Sequence, residues 1–143
     1  MKSGDERLYG EPWIYGIQSG LFIKVGVSRS IRHRLLEMNA LNPHPCRVAI
    51  RYQSVDAFWI EKRMHELLER HSIGREWFAA SVDQVRAALH EAKRMNKERR
   101  DLQAQWEYES AVRLAAKEER KAARLARFTW TREGGKGKGG ASD

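Results

Sequence analysis

The segment Trp13–Val27, WIYGIQSGLFIKVGV, constrains the fold most because it has the pattern of a tight β-hairpin. Two runs rich in β-branched and aromatic residues flank Ser19-Gly20, where glycine supplies the positive φ that a two-residue turn needs. This turn predicts that Tyr15 lies directly opposite Lys24. The sequence therefore predicts a hairpin that places a phenol beside an amine.

The two faces of this hairpin have different character. Directly paired residues share a face, and successive residues alternate between faces. The face expected to be functional includes a glycine that permits close approach; its members are Trp13, Tyr15, Ile17, Phe22, Lys24 and Gly26. The face expected to be the core consists of Ile14, Leu21, Ile23, Val25 and Val27. Taken alone, an ordinary amphipathic hairpin explains these residues as well as a site does.

Two helices and a third strand are predicted to follow. The first helix is capped by Ser28 or Ser30 and has Arg34 at the edge of its apolar stripe; the stripe is Ile31, Leu35 and Met38. A third strand is expected over residues 46–53. The second helix is expected from about Val55 to His71, with Glu61 beside its apolar face; that face is Ala57, Ile60, Met64, Leu67 and Leu68.

The predicted fold class is α+β. A small three-stranded antiparallel sheet is flanked by helices and followed by a long charged C-terminal helix and a disordered tail. We expect a flexible N-terminus at residues 1–10, a domain at residues 11–93, a basic helical extension at residues 94–128 and a disordered Gly/Lys tail at residues 129–143.

The extension begins with a capping box, Ser81 with Gln84. Beyond residue 94 the apolar residues become sparse and Ala, Glu, Lys and Arg dominate, which favours an exposed helix. Its basic cluster fits a nucleic-acid backbone, and a solvated arm or a dimerisation segment is an equally good interpretation. The cluster is Arg113, Lys117, Arg120, Lys121, Arg124 and Arg127.

Composition narrows the possible partners. The net charge of +8 and a pI near 9.9 favour a polyanion, although an RNA-binding or ribosomal protein has the same balance. No apolar run reaches membrane-spanning length, and a single cysteine excludes an internal disulfide framework. We therefore expect a cytoplasmic protein that does not bind a membrane. The five histidines and Cys46 lack zinc-site spacing.

The order of Tyr15, Lys24, Gly26, Arg34 and a helical Glu61 resembles the GIY-YIG nuclease superfamily. It is most similar to the phage-associated branch described as a DNA-binding domain, whose second motif is Lys-Ile-Gly and whose closing motif is Glu-Trp-Phe. The matching residues span Trp13 to Phe78 and include Trp13-Ile14-Tyr15, Lys24-Val25-Gly26, His65 and Glu76-Trp77-Phe78.

The resemblance implies a metal-dependent endonuclease that hydrolyses DNA. Glu61 would be the ligand of Mg²⁺ or Mn²⁺, since Mg²⁺ is commonly held by one carboxylate and several waters. Arg34 would grip the phosphate with its planar fork, and Arg29 and Arg32 would add nucleic-acid contacts. Either Tyr15 or Lys24 would be the general base, and His65 would orient Glu61 or shuttle a proton.

Departures from the family pattern leave other functions open. Trp13 stands where the superfamily motif has glycine, and Lys24 stands where it has the second tyrosine. One alternative is a nucleic-acid-binding module without catalysis. Another is a phage-encoded interaction factor that binds a protein partner, or a second copy of itself, through the C-terminal helix.

Overall fold

The computed structural model describes the backbone of residues 10–141 and the side chains of residues 10–130. Five strands and three helices follow one another as β1 (Trp13–Ser19), β2 (Phe22–Ser28), α1 (Ile31–Leu41), β3 (Cys46–Gln53), α2 (Ala57–Leu67), β4 (Ser72–Gly74), β5 (Trp77–Phe78) and α3 (Val82–Ala141). The prediction of an α+β fold is confirmed. No helix in the described part of the chain is both long and apolar enough to span a bilayer.

The hairpin forms as predicted, but its register differs by two residues. Ile17 lies opposite Lys24, and Tyr15 lies opposite Gly26. The two turn residues are Gly20 and Leu21, and Gly20 has φ 61°. Glycine thus supplies the positive φ at the first central position of the turn, whereas the prediction placed it at the second. The predicted Tyr15–Lys24 pair is therefore wrong. A shift of two residues preserves the faces, so Tyr15 and Lys24 still share one face and are diagonal neighbours.

The sheet has five strands, and the predicted count of three is wrong. Its order is β3-β1-β2-β5-β4, and all four pairings are antiparallel. The two additional strands are short and are joined through Gly74 at φ 124° and Arg75 at φ 53°. They extend the sheet only along the first part of β2, where Ile23 and Lys24 pair with Phe78 and Trp77.

Hydrophobic residues cover both faces of the sheet. The larger core lies on the predicted side and includes Ile14, Ile23 and Val25; helices add Ile60, Met64, Val85 and Ala92. The opposite face, predicted to be functional, also has a small core made of Tyr15, Ile17, Met38 and Cys46.

Two predicted core residues are solvent-exposed. Leu21 is 85% exposed because it is one of the two residues of the hairpin turn. Leu67 is 43% exposed. It is the last residue of α2, which ends four residues earlier than predicted, and the chain then tightens into a 3₁₀ turn at Glu69–His71. The other predicted core residues of this helix are buried.

Local capping explains where two of the helices begin. The Ser30 side chain accepts a hydrogen bond from the His33 backbone at 3.3 Å, which confirms one of the two predicted caps of α1. At the start of α3, Ser81 N–H donates to Gln84 Oε1 at 2.9 Å, and Gln84 N–H donates to Ser81 Oγ at 3.1 Å. The predicted capping box is therefore confirmed.

The chain divides into two compact units, Met1–Glu98 and Arg99–Asp143. The predicted N-terminal segment, residues 1–10, lies outside the described residues except for Gly10. The composition of residues 129–143 predicts disorder, whereas the backbone is helical through Ala141. The last two residues lie outside the described part.

Candidate active site

Tyr15 forms the centre of the candidate site. Its side chain is 1% exposed and lies across Gly26, the residue opposite it on β2. A Cβ atom built at Gly26 would lie 2.7 Å from Tyr15 Cζ, closer than real atoms pack. Glycine at this position is therefore required by the approach of the phenol ring.

His65 connects α2 to the same part of β2. Its Nε2 atom lies 2.9 Å from the carbonyl oxygen of Val25, the residue before Gly26, and 3.1 Å from Glu61 Oε1. Both partners are hydrogen-bond acceptors, so Nε2 must carry a proton. The imidazole also meets Phe78 edge to face, with ring centroids 5.0 Å apart. His65 thus holds the Glu61 carboxylate against the hairpin.

This arrangement raises the pKa of His65. The hydrogen bond with the Glu61 carboxylate is the main cause, because it favours the charged imidazolium. Burial opposes this effect, while the Val25 carbonyl and the charges of Glu61 and Glu76 reinforce it. The geometry supports the orienting role more than the proton-shuttling role, because Nε2 is already engaged by two acceptors.

Lys24 and Glu76 add an opposite pair of charges beside the phenol. Lys24 Nζ lies 3.9 Å from Glu76 Oε2, and the two side chains are 24% and 46% exposed. The Glu76 segment is held next to β2 because its carbonyl accepts a hydrogen bond from Val25 N–H at 3.0 Å. A second carboxylate therefore lies near the hairpin besides Glu61.

Arg34 lies on α1, which covers the Tyr15 face of the sheet. Its guanidinium is 3.5 Å from Glu37 Oε2, one turn along the helix, and is 40% exposed. The Ser30 cap fixes the start of α1 and thereby the backbone position of Arg34. Arg34 is thus partly accessible to a ligand while one of its nitrogens faces a carboxylate.

Charges from three sides act on the Tyr15 hydroxyl. Burial is the largest influence and raises its pKa, since a buried phenolate is poorly solvated. Arg34 opposes this effect, and Glu76, Glu61 and Glu37 add to it. The phenol therefore stays protonated at neutral pH, which argues against its being the general base.

Among the predicted site residues, the charges of Arg34 and Glu61 act on the Tyr15 hydroxyl. Lys24 shares the Tyr15 face of the hairpin, and His65 contacts Glu61. The other predicted basic residues are elsewhere. The Arg29 guanidinium donates to the carbonyl of Gly10 at 3.0 Å, and Arg32 is exposed on α1. The C-terminal cluster belongs to the second unit.

Two parts of the site were not identified as such from the sequence. The sequence indicates Glu76 only as a member of the Glu76-Trp77-Phe78 motif and gives it no role in the site. Its position near Lys24 depends on the short strand β5. The Val25 carbonyl cannot be found from side-chain patterns at all, because backbone atoms carry no sequence signal. Only the i, i+4 spacing of Glu61 and His65 was available as a local clue.

The donor set suits a hard divalent cation. The Glu61 carboxylate is 18% exposed, and its contact with His65 uses Oε1, so Oε2 is not part of that contact. Mg²⁺ commonly uses one or two carboxylates and completes its shell with waters. Within the described residues, no group of three or more His, Cys, Asp and Glu side chains is arranged around a common point. Glu61 Oε2 would be the protein oxygen offered to a Mg²⁺ ion whose other ligands are waters.

In the second unit, five cations form what we call the basic stripe: Arg113, Lys117, Arg120, Arg124 and Arg127. All are exposed. At 100° per residue these positions fall within an arc of roughly 80° on one side of α3. By the same spacing Glu118 and Glu119 fall on other sides of the helix, and Lys121 lies at the edge of the stripe. The positive charge is thus concentrated along one helical face.

Comparison with known proteins bears on the first unit. A family model described as the T5orf172 domain matches residues 11–93. This range contains the predicted site residues Tyr15, Lys24, Arg34, Glu61 and His65. No curated protein and no solved structure matches the chain. T5orf172 domains are phage-associated and related to nuclease-type domains. Since this match covers more than half of the chain, the protein belongs to the T5orf172 domain family.

Proposed function

We propose that this protein is a Mg²⁺-dependent (or Mn²⁺-dependent) endonuclease that hydrolyses DNA phosphodiester bonds with GIY-YIG-type chemistry. The observation that carries the proposal is the position of Glu61. The carboxylate is fixed by His65 against the backbone of Val25, next to the glycine that Tyr15 covers. The charges of Glu61 and Arg34 both act on the Tyr15 hydroxyl, and Lys24 lies on the same face of the hairpin as Tyr15.

Arg34 and Lys24 are the phosphate-binding groups in this proposal. Arg34 is partly exposed, and its fork can form paired hydrogen bonds with phosphate oxygens. Lys24 contributes a point charge on the same face of the hairpin. Before the substrate arrives, Arg34 faces Glu37 at 3.5 Å and Lys24 faces Glu76 at 3.9 Å.

Tyr15 acts as a hydrogen-bond donor. Because burial raises its pKa, the hydroxyl keeps its proton and can stabilise charge on a phosphate oxygen or orient the attacking water. Gly26 allows the ring to lie flat across β2, so the hydroxyl has a fixed position. Burial of the Tyr15 ring thus contributes to the proposed function by holding the hydroxyl in one position.

Glu61 would hold the metal ion, with Glu76 as a second oxygen ligand or as an acceptor for a bound water. A bound Mg²⁺ would supply positive charge to the scissile phosphate and lower the pKa of a coordinated water. His65 fixes the rotamer of Glu61 through Nε2–H. The nucleic acid would also contact the basic stripe, which increases affinity without reading sequence.

The test is cleavage of supercoiled plasmid and labelled duplex with Mg²⁺, with and without a chelator. Glu61→Gln keeps the shape of the side chain and removes its charge. We expect the cleavage rate to fall about 100-fold to 1,000-fold, as when a transition-state contact is removed. The matched control is Glu66→Gln on the same helix, whose carboxylate contacts Arg63 at 3.0 Å and is 53% exposed.

The proposal requires that Glu61→Gln cleaves DNA much more slowly than Glu66→Gln does. Equal activity of wild type and Glu61→Gln on duplex, branched and single-stranded substrates would contradict it, as would equal loss in both variants. Thermal unfolding of each variant shows that the comparison concerns folded protein.

A second function is favoured by Trp13 and by the burial of Tyr15. Trp13 replaces the glycine of the superfamily motif, and Arg51 stacks on its ring with 5.7 Å between the guanidinium carbon and the ring centroid. A bulky pair beside a buried phenol suits nucleic-acid binding without catalysis. Salt-dependent binding of DNA, together with no cleavage under any metal condition, would support this alternative.

A further inference from the structure

A groove lies between the edge strand β3 and the first turns of α3. Its volume is about 520 Å³. Ala49 and Ile50 contribute the strand side, and Leu89 contributes the helix side. Both walls belong to the first unit, residues 10–98 of the described chain.

Two cations and a histidine of α3 line this groove. Arg86, His90 and Lys93 are exposed and lie at i, i+4 and i+7, so they share one side of the helix. Lys93 Nζ is 4.2 Å from the centroid of the Tyr52 ring, which supports the ammonium at the groove edge. None of the described residues that line the groove is acidic.

The ion pairing of these cations is weak. Arg86 approaches the Asp83 carboxylate at 3.9 Å, but both side chains are well exposed, at 63% and 96%. Exposed pairs at this distance contribute little to stability. A concave surface of one sign concentrates the electric field and attracts anions, so this groove is suited to bind a polyanion.

We propose that this groove binds the sugar-phosphate backbone of the same nucleic acid, as a second contact region outside the site of Glu61. This inference rests on the proposed nucleic-acid function. Along α3, Arg86 and Lys93 are roughly 10 Å apart at 1.5 Å per residue. This separation allows the two cations to contact different phosphates of one strand.

The location of the groove gives it a separate role from the Tyr15 site. In the sheet order, β3 is the outer strand and lies next to β1, which carries Tyr15. Lys24 is on β2, and Glu76 directly precedes β5. Helix α3 also packs on the sheet face opposite to Tyr15. A polymer that contacts both regions would have to curve around the β3 edge, so the groove increases affinity without contributing to the chemistry.

The experiment measures DNA binding of the full chain by fluorescence anisotropy in a chelator, so that no cleavage occurs. The test variant carries Arg86→Gln and Lys93→Gln, which remove two charges and keep much of each aliphatic stem. The plot of log affinity against log salt should become less steep by about 0.9 for each phosphate that the variant no longer neutralises. Since two cations are removed, we expect a change in slope of about 1.8.

Two controls make the result specific. The pair Arg86→Lys and Lys93→Arg retains both charges, and its salt slope should equal that of wild type. Arg70→Gln removes one exposed charge from the 3₁₀ turn and should change the slope by less than half of the change in the double Gln variant. Unchanged thermal unfolding of the Gln variant shows that any weakening of binding does not come from unfolding.

The outcomes separate this inference from the proposed function. If wild type binds DNA and the Gln variant shows the same salt slope, the groove inference is overturned and the nuclease proposal is left intact. A loss of polyglutamate binding in the Gln variant, with DNA binding unchanged, would also overturn it, because the ligand would then be an acidic protein. No DNA binding by wild type would overturn both.

Discussion

Tyr15 lies directly across Gly26, so that the phenol ring occupies the space where any other residue at position 26 would place its Cβ. This close approach joins the two strands of the hairpin on the face that α1 covers. It also places the Tyr15 hydroxyl one residue away from Val25, whose carbonyl binds His65. The contact between the Tyr15 ring and Gly26 is thus both a packing contact of the hairpin and part of the candidate site.

The first prediction concerns the packing of Tyr15 on Gly26. Gly26→Ala should lower the free energy of unfolding by about 1–3 kcal/mol, the usual cost of overpacking. The penalty should shrink by about 1 kcal/mol or more in a Tyr15→Ala background, because the ring that collides with the new methyl group is absent. Urea denaturation of the four proteins in this double-mutant cycle measures both values. A penalty that is equal in both backgrounds would contradict the packing of the ring on Gly26.

The hairpin shows what a sequence predicts well and what it does not. The faces were predictable because strand residues alternate with period 2, and a register error of two leaves every side chain on its face. The register itself depended on whether Gly20 is the first or the second turn residue. Both arrangements satisfy the need for positive φ, so the sequence could not distinguish them.

The two short strands illustrate a different limit. Residues 72–74 and 77–78 are too short to show a periodic pattern, and a positive φ at Arg75 is not predicted by any glycine or asparagine there. These strands nevertheless bring Glu76 next to Lys24. The sequence could thus predict Glu61 and His65 from their helical spacing but not the second carboxylate, whose position depends on tertiary pairing.

The second prediction concerns the pH dependence of stability. The His65 pKa is raised in the folded protein, mainly by Glu61. A raised pKa means that the folded state binds more protons than the unfolded state. The stability that protonated His65 contributes is therefore fully present below the unfolded-state pKa of about 6.5. It is lost as the pH rises through the pKa of His65 in the folded state. His65→Gln should cost more stability at acidic pH than at alkaline pH.

An NMR titration of the His65 ring checks this prediction directly. In wild type, the midpoint should lie above that of an unstructured histidine. In Glu61→Gln, the midpoint should move down toward the ordinary value, because the negative charge is removed while a hydrogen-bond acceptor remains. A wild-type midpoint at or below the ordinary value would show that Glu61 does not engage the imidazole.

The third prediction concerns the basic stripe. Arg113→Gln, Arg120→Gln and Arg124→Gln together should reduce the salt slope of DNA binding by up to about 2.7, or 0.9 for each neutralised phosphate. The matched control replaces the same three residues with lysine, which retains the charge and should retain the slope. If the Gln variant keeps the wild-type slope, the stripe does not contact the backbone, and a protein partner for this helix becomes the better interpretation.

The fourth prediction concerns the ionisation of Tyr15. Burial raises its pKa above the ordinary value of about 10, so an absorbance titration at the phenolate band should show that Tyr15 ionises above this pH. The difference between wild type and Tyr15→Phe isolates it. The folded state keeps this proton when the unfolded chain has lost it, so stability should fall as the pH rises above about 10. That decline should be smaller in Tyr15→Phe. A Tyr15 that ionises near neutral pH would contradict the burial and would restore the phenolate as the general base.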